Sequence, residues 1–470
     1  MQFILNDKTI QTDKPGGMTL LDFIRYEKHL AGTKIGCREG DCGACTILVG
    51  EWVDGKMNYQ SMTSCITPLI NAAGKHIVTI EGLNMNELSP VQKAMVDEGG
   101  TQCGFCTVGF IVSLSGYCMQ GEAPTTGGSI EAIDGNICRC TGYKSIERAA
   151  HEINARLAAK DIKNPVSWLV KNAFIPGYFI KIPERLALLT GHKSQANGAK
   201  LHKRVGGGTD LYVQKPEEMV DHEVDRLFGR SDLSGIGISA NGKQVTIGGG
   251  STVTDLLMSP VMNSLFPNLK KYIKLVSSTP IRNMGTLAGN FVNASPIGDM
   301  TIFFLALNVS VNLKKPDNSS RTILLRDFYT GYKMLDKLPE EYIHSFSFES
   351  PGKDSLFNFE KVSKRTNLDI ASANSAISLR IVGEKISDVH LSAGGVGPVP
   401  LYLRKTCEYL RGKLLTPDLI SDAVEIIHQE ISPISDARGT KEYKILLLRQ
   451  IFFAHFIELF PEKIEMDLLV

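Results

Sequence analysis

Thr33-Lys-Ile-Gly-Cys37-Arg-Glu-Gly-Asp-Cys42-Gly-Ala-Cys45 is a glycine-rich loop with three cysteines, and Cys65 completes a C-x4-C-x2-C…C set. This spacing is that of a plant-type [2Fe–2S] site, in which each iron takes two thiolates. Its glycines let the loop wrap closely round a cluster, because glycine tolerates positive φ and close backbone approach. A structural zinc site is the alternative, but zinc usually takes two short C-x2–4-C pairs. The predicted ligands of this first cluster are Cys37, Cys42, Cys45 and Cys65.

The segments on either side of the loop predict a small α+β unit. Residues 2–10 indicate a hairpin that turns at Asn6-Asp7, and a helix is expected from Met18. Residues 46–53 and 56–61 indicate a strand and its return around the turn Asp54-Gly55. This order resembles the β-grasp of plant-type ferredoxins, and we place the boundary of the domain at Glu81.

A second group of cysteines lies at the start of two further helices. After a helix that begins at Ser89-Pro90 and stops at Gly99-Gly100, a C-x2-C pair opens an apolar helix, and a C-x-C pair precedes a helix over 145–159. Helix N-termini favour anionic groups through unpaired amides and dipoles. The spacing alone also fits zinc, but directly behind a plant-type set we interpret it as a second [2Fe–2S] site. Its predicted ligands are Cys103, Cys106, Cys138 and Cys140.

The composition limits the class of protein. The chain has 470 residues, 43% of them hydrophobic and 21% charged, with a net charge of +1, which predicts several globular domains and neither nucleic acid nor membrane as a partner. Eight of the ten cysteines fall into the two groups, while Cys118 and Cys407 are expected to be packed thiols. Reduced metal-ligand cysteines, no visible leader and no long apolar run predict a cytoplasmic location.

Two motifs around the second cysteine group carry a family resemblance. Gln102-Cys-Gly-Phe-Cys-Thr-Val-Gly-Phe and Gly135-Asn-Ile-Cys-Arg-Cys-Thr-Gly-Tyr are similar to the four-helix [2Fe–2S] domain of molybdenum hydroxylases. That family includes xanthine dehydrogenases, aldehyde oxidoreductases and nicotinate hydroxylases. The resemblance implies that the second cluster lies next to a molybdopterin cofactor, with Gln102 near the pterin. It also implies that the first cluster lies between the second and a flavin.

Two loops further along the chain predict the flavin site. Residues 203–211 are a strand that runs into Gly206-Gly-Gly208 and a polar pair, and such a loop exposes amides that suit a pyrophosphate. A glycine run alone is most often only a turn. A second loop over 278–299 resembles the second FAD-binding segment of the same family. The order and separation of the two loops fit that family.

The resemblance assigns roles to individual residues. The pyrophosphate and nearby parts of FAD are expected at two runs, Asp299 should hydrogen-bond the cofactor, Lys361 should lie near the isoalloxazine, and Ile343 should make an apolar backbone contact. For Asp299 and Lys361 the alternative is an ordinary surface ion pair. The two runs are Arg204, Val205, Gly206, Gly207, Gly208, Thr209, Asp210 and Leu211, and then Thr286, Leu287, Ala288, Gly289 and Asn290.

A third glycine pattern is a decoy. Gly235-Ile-Gly237-Ile-Ser-Ala240 matches the dinucleotide fingerprint, which needs a helix after it. Asn241-Gly242 follows at once, however, and then a strand from Val245. We therefore predict a hairpin here and no Rossmann domain.

The predicted architecture is a multidomain α+β chain. Its parts are a β-grasp [2Fe–2S] ferredoxin-like domain, a four-helix [2Fe–2S] domain, a linker, a two-lobed α+β FAD-binding domain and a small α+β C-terminal flavoprotein domain. This last domain should end in two helices, 417–431 and 441–460, and the second of these is expected to be buried or a subunit contact. The respective ranges are 1–81, 82–160, 161–176, 177–350 and 351–470.

The resemblance implies an electron-transfer role. A flavin holds two electrons and can pass them as hydride, whereas iron–sulfur clusters move them singly. We expect the iron–sulfur and FAD subunit of a molybdenum hydroxylase, xanthine dehydrogenase first, with NAD as acceptor. No room for a molybdopterin domain remains after Val470, so a separate large subunit is expected, in a dimer of heterodimers. No catalytic residue of this chain is predicted.

Two departures from the family and two alternatives remain. Ala288 stands where a glycine is common, which should only tighten the loop. Lys364-Arg-Thr-Asn-Leu-Asp-Ile-Ala replaces Arg-Arg-Glu-Asp-Asp-Ile-Ala, a frequent form in xanthine dehydrogenases, so oxygen or a ferredoxin could replace NAD. The partner could act on another aldehyde or nitrogen heterocycle, or the chain could be a stand-alone reductase or redox sensor.

Overall fold

The computed structural model of the chain describes residues 1–189, 202–465, 467 and 469. It divides into two compact units: unit 1 is Met1–Phe228 with Ser278–Gly285, and unit 2 is Gly229–Ser277 with Thr286–Val470. Parts of the predicted ranges 177–350 and 351–470 lie outside the described residues. The predicted α+β class is confirmed, while the domain boundaries stay a prediction.

Unit 1 begins with a five-stranded sheet. Its order is β2-β1-β5-β3-β4, with β1 and β5 parallel and the other neighbours antiparallel. Asn6 has φ of 53° in the predicted first turn, and the second hairpin turns at Asp54-Gly55 as predicted. The strands are β1 Gln2–Leu5, β2 Lys8–Gln11, β3 Thr46–Val53, β4 Lys56–Thr63 and β5 His76–Val78.

The helix predicted from Met18 differs from the expectation. Thr19 caps it through a bond from the Asp22 N–H to Thr19 Oγ1 of 3.1 Å, so α1 begins two residues later, at Leu20–Asp22. From Phe23–Glu27 the chain forms a π-helix. Its apolar side chains Leu20, Leu21, Phe23 and Ile24 are buried together with Cys45 and Cys65 in one core.

The helical part of unit 1 packs on this sheet. Ser89 and Gln92 form a capping box with Pro90 as the first helical residue, as the sequence predicts. The core of this part contains Cys118, which is buried as expected, and extends to Leu169 and Phe174 of the predicted linker and to Phe179 beyond it. The helices are α2 Pro90–Asp97, α3 Thr107–Met119, α4 Thr126–Glu131, α5 Lys144–Arg156, α6 Pro165–Lys171 and α7 Ile182–Ala187.

Two later segments complete unit 1. The first carries the parallel pair β6 Lys203–Val205 and β7 Val224–Arg226, with α8 Leu211–Gln214 between them. The second is Ser278–Gly285, which includes the short helix Thr279–Arg282. Arg282 forms a buried ion pair of 2.7 Å with Asp134. Burial raises the pKa of Asp134, and the Arg282 charge opposes this effect.

Replacing His76 with glutamine is expected to flatten the acid dependence of the stability of unit 1. Burial lowers the pKa of His76 to about 3, whereas an unfolded histidine titrates near pH 6.5. The unfolded state binds more protons between these values, so this contribution is complete above about pH 6.5 and is lost as the pH falls; from pH 7 to pH 5 it amounts to about 2 kcal/mol. Tryptophan fluorescence can follow this, because Trp52 and Trp168 both lie in unit 1. If the wild type and the variant lost the same free energy of unfolding between these pH values, the effect could not be assigned to His76.

Unit 2 contains two larger sheets and a hairpin. The sheet orders are β11-β10-β14-β9-β8 and β15-β16-β17-β18, and β12 pairs with β13. The strands are β8 Ile236–Ile238, β9 Gln244–Gly248, β10 Ser310–Lys314, β11 Ser320–Leu324, β12 Tyr329–Gly331, β13 Met334–Leu335, β14 Tyr342–Glu349, β15 Ser355–Val362, β16 Ala373–Val382, β17 Lys385–Gly394 and β18 Leu401–Tyr402. The decoy motif is a hairpin of β8 and β9, as predicted.

The helices of unit 2 cover these sheets. They are α9 Val253–Met258, α10 Pro260–Leu265, α11 Leu269–Lys274, α12 Leu287–Asn293, α13 Asp299–Leu305, α14 Arg404–Leu410, α15 Pro417–Glu430 and α16 Lys441–Leu459. The last two match the predicted pair, and α16 buries Leu448, Phe452 and Phe456 in a core that also holds Cys407. Among the described residues, none of the helices has the length and apolarity to cross a membrane.

Candidate redox centres

The first four predicted cysteines converge in unit 1. The side chain of Cys37 lies within hydrogen-bonding reach of Cys42 and Cys65, and Cys45 lies within reach of Cys65. Backbone amides point at the sulfurs: Glu39 N–H donates to Cys37 Sγ at 3.3 Å and Cys37 N–H donates to Cys42 Sγ at 3.4 Å. The four side chains therefore lie close together beside backbone amides.

The surroundings of Cys37 and Cys45 favour the ionised form of these two thiols. Hydrogen bonds from Cys42 and Cys65 lower the pKa of Cys37, and the amides of Glu39 and Cys42 add to this effect. A hydrogen bond from Cys65 lowers the pKa of Cys45 in the same way. Amides that stabilise an anionic sulfur also tune the potential of a cluster held there.

Replacing Gly43 with alanine is expected to disrupt the first cysteine loop. A Cβ on Gly43 would lie 2.3 Å from the carbonyl oxygen of Gly135, and Gly43 has φ of +69°. Because the obstructing atom is backbone, the loop has to move. Gly55 is the matched control, since its φ is +78° with nothing within 4 Å.

We expect Gly43→Ala to lower stability by about 1–3 kcal/mol more than Gly55→Ala and to retain less iron. The measurements are the denaturation midpoint of unit 1 and iron per chain. Equal losses in the two variants would mean that the close approach at Gly43 is unimportant.

The second four cysteines also come together in unit 1. Cys103 Sγ and Cys140 Sγ are 3.6 Å apart, and the side chains of Cys106 and Cys138 lie within hydrogen-bonding reach. Cys106 precedes the first turn of α3, and Tyr143 precedes that of α5. The amides of Cys140 and Thr141 each donate to Cys138 Sγ at 3.4 Å.

The two groups differ in exposure. In the first group Cys45 and Cys65 are buried, whereas in the second Cys103 and Cys140 are exposed. Exposed apolar side chains accompany the second group, Phe105 with 46% and Tyr143 with 39% of their surface accessible, and Gln102 is exposed beside them. The second group therefore opens to the surface of unit 1.

Both groups fit the cluster that their spacing predicts. Each provides four thiols, which is the donor set of a [2Fe–2S] cluster, and each directs backbone amides at sulfur, which suits an anionic centre. In the first loop a Cβ on Gly36 would lie 2.5 Å from Cys42 Sγ, so glycine leaves the space that the sulfur occupies. The ligand roles of the eight cysteines stay predictions.

The glycine loop predicted to hold the pyrophosphate lies in unit 1. Among the described residues, no hydrogen bond is made by the backbone N–H groups of Gly207, Gly208 and Thr209. Gly207 and Gly208 are buried, and Gly208 has φ of +92°. Buried amides without acceptors are what an anionic ligand would satisfy, so this loop fits a pyrophosphate.

The second predicted run, Thr286 to Asn290, lies in unit 2 at the start of α12. Here the amides are already used: Leu287 N–H donates to Ser251 O at 2.9 Å and Gly289 N–H donates to Thr286 Oγ1 at 3.2 Å. Asn290 Oδ1 accepts from Thr301 Oγ1 at 2.9 Å. This run is therefore held by hydrogen bonds within the protein, and its contacts with a cofactor stay a prediction.

Asp299 and Lys361 form a buried node in unit 2 rather than the surface ion pair considered as the alternative. Lys361 Nζ donates to Asp299 Oδ2 at 2.7 Å, to Leu275 O at 2.6 Å and to Asp369 O at 2.8 Å. Asn374 Nδ2 donates to the other oxygen of Asp299 at 2.6 Å. The ammonium group of Lys361 therefore donates all three of its protons to oxygen atoms of the protein. Ile343 is buried on β14.

Sequence reasoning missed Asn136 as a structural residue of the site. Its side chain donates to Gly43 O at 3.1 Å and accepts from Ser113 Oγ at 2.8 Å. A polar residue two positions before Cys138 was the available signal. Its partners are 93 and 23 residues away along the chain, which no local pattern indicates.

Four family models match the chain in succession. A 2Fe-2S iron-sulfur cluster binding domain matches residues 3–69, and a [2Fe-2S] binding domain matches 79–151. An FAD binding domain in molybdopterin dehydrogenase matches 180–348, and a CO dehydrogenase flavoprotein C-terminal domain matches 359–459. The chain therefore contains iron–sulfur and FAD-binding domains.

Individual proteins with similar sequences or folds agree with these models. Xanthine dehydrogenase from Blastobotrys adeninivorans is 28% identical over 95% of this chain and 39% of its own length. Human aldehyde oxidase is 24% identical over 97% of this chain and 39% of its own length. This chain spans about two fifths of the length of these relatives.

A solved structure supports the fold. Carbon monoxide dehydrogenase from Hydrogenophaga pseudoflava matches with a TM-score of 0.52 and 23% identity, over 56% of this chain and 91% of that chain. The order of the four matched domains and these relatives make the chain similar to the iron–sulfur and FAD-binding part of xanthine dehydrogenases and aldehyde oxidases.

Proposed function

We propose that the chain is the electron-transfer subunit of a molybdenum hydroxylase, most simply a xanthine dehydrogenase. Electrons enter at the site of Cys103, Cys106, Cys138 and Cys140, continue to that of Cys37, Cys42, Cys45 and Cys65, and leave through FAD to NAD. The observation that carries this is the exposure of Cys103 and Cys140 beside the buried Cys45 and Cys65. Two cysteines of the second group are accessible to a partner, and two cysteines of the first are enclosed.

The partner is a separate subunit with the molybdopterin cofactor. Phe105 and Tyr143 provide exposed aromatic surface next to Cys103 and Cys140, and aromatic residues are enriched in protein interfaces. Gln102 is exposed in the same place, which suits its expected position near the pterin. Two such pairs of subunits form a dimer of heterodimers in the cytoplasm.

The role of FAD follows from its chemistry. When bound, a flavin accepts two electrons and passes them on as hydride. The unpaired amides of Gly207, Gly208 and Thr209 hold its pyrophosphate. NAD is the proposed acceptor, and xanthine is the proposed substrate class of the partner, although the relatives include aldehyde oxidases as well.

The test is to purify the chain without oxygen from its native host and to count its cofactors and partners. About four irons, about four sulfides and about one FAD per chain, together with a subunit that contains molybdenum, are expected. Zinc in place of iron would overturn the electron-transfer role. Clusters and FAD without a molybdenum subunit would favour a reductase or redox sensor.

The acceptor and substrate are tested on the same preparation. NADH added without oxygen should bleach the flavin and cluster absorbance, since hydride transfer to a flavin is reversible. No bleaching by NADH would overturn NAD as acceptor and leave oxygen or a ferredoxin. Reduction by an aldehyde but not by xanthine would reassign the substrate class and leave the electron-transfer role in place.

A further inference from the structure

The two cysteine groups are joined by a direct backbone hydrogen bond. The N–H of Ile137 donates to the carbonyl oxygen of Cys42 at 3.0 Å. Cys42 belongs to the first group, and Ile137 is the neighbour of Cys138 in the second. A path from Cys42 to Cys138 therefore runs along covalent bonds except for this one hydrogen bond.

Asn136 holds this contact in place. Its Nδ2 donates to Gly43 O at 3.1 Å, next to Cys42, and its Oδ1 accepts from Ser113 Oγ at 2.8 Å. Ser113 lies on α3, the helix that begins directly after Cys106. The side chain of Asn136 therefore connects the loop of the first group with the loop and the helix of the second.

The contact is close and excludes water. A Cβ on Gly109 would lie 2.3 Å from Gly43 O, so the backbones of the two parts approach as only glycine allows. Asn136, Thr46 and Cys138 are 6%, 2% and 4% exposed. Hydrogen bonds in such an enclosed setting are stronger and better fixed than in water.

We propose that Asn136 is a positioning residue that sets the electron transfer between the two cysteine groups, along the Cys42–Ile137 hydrogen bond. The inference rests on the proposed function, because it needs an iron–sulfur cluster at each group. One electron passes from the second cluster to the first, so the second is oxidised by one electron and the first is reduced by one electron. No bond is made or broken and no proton moves. The electron comes from the molybdenum subunit or, in the test, from dithionite.

The test uses the full chain purified without oxygen and reduced with dithionite. Both reduced clusters are paramagnetic, so their magnetic interaction splits the low-temperature EPR signals. In Asn136→Ala we expect both signals to remain, the splitting to shrink and the electron exchange after flash reduction to slow by about tenfold to a hundredfold. Ser113→Ala should change both readouts in the same direction by less, and it serves if Asn136→Ala does not fold.

Asn283 is the matched control, a second buried asparagine of unit 1 whose Nδ2 donates to Ser61 O at 2.9 Å. Asn283→Ala should keep the wild-type splitting and exchange rate. Two signals with unchanged splitting and rate in both the Asn136 and Ser113 variants would overturn this inference alone. A wild-type chain without two cluster signals would overturn it together with the proposed function.

Discussion

Replacing Cys106 with alanine is expected to abolish one of two iron–sulfur EPR signals and to leave the other. Cys106 lies with Cys138, Cys103 and Cys140 in the second group, whereas the first group closes on Cys37 and Cys65. Because a [2Fe–2S] cluster needs its four protein ligands, iron per chain should fall from about four to about two. Under the proposed function, electron flow to FAD should also stop, because the missing cluster is the proposed point of entry.

Cys118 provides the control on the same helix. It lies in α3 and is fully buried, away from both groups. Cys118→Ala should keep both signals and about four irons, at a modest loss of stability from the lost packing. Loss of both signals in Cys106→Ala, or of neither, would mean that the division of the eight cysteines into two sites is wrong.

Replacing Lys361 with methionine is expected to destabilise unit 2 by about 3–5 kcal/mol, because it leaves the Asp299 carboxylate buried without its cation. The side chains of Lys361 and Asp299 are only 1% and 13% exposed. The lost bond to Asp369 also frees the loop that follows Lys361, so retention of FAD should fall. Circular dichroism and released flavin measure the two effects, since both tryptophans lie in unit 1.

A surface ion pair of unit 2 gives the comparison. Lys271 Nζ lies 2.8 Å from Glu458 Oε1, but these side chains are 54% and 44% exposed. Lys271→Met should therefore cost at most about 1 kcal/mol. Adding Asp299→Asn to Lys361→Met should recover part of the loss. Equal small effects of Lys361→Met and Lys271→Met would contradict a structural role for the buried pair.

Local chemistry was predictable from the sequence. The cysteine spacings, the Ser89-Pro90 helix start and the Asn241-Gly242 hairpin depend on residues within a few positions of one another, and the structure has these elements where the sequence predicts them. Only the short spacings within each group are local in this sense; the approach of Cys140 to Cys103 joins residues that are 37 positions apart, and it was expected from the ligand number of a cluster. The π-helix after Asp22 was not, because Thr19 and Asp22 alone do not determine how the following turn widens.

Long-range partners were not predictable. Asn136 bonds to Gly43 and Arg282 bonds to Asp134 across 93 and 148 residues, and neither residue has a local pattern that identifies its partner. The expected position of Lys361 near the flavin stays a prediction, and only the folded chain shows that its ammonium group donates to Leu275, Asp299 and Asp369. In each case the position is decided by tertiary packing rather than by neighbours in sequence.

The short return of the chain to unit 1 at Ser278–Gly285 has a consequence for synthesis. On a ribosome, domains generally fold in order from the N-terminus. Asp134 is synthesised 148 residues before its partner Arg282. Unit 1 is therefore completed only after Gly229–Ser277 of unit 2 has been made. A chain that ends at Phe228 would carry the eight cysteines but lack the segment that provides the Thr279 and Arg282 partners of Asp134, so a cut there removes part of unit 1.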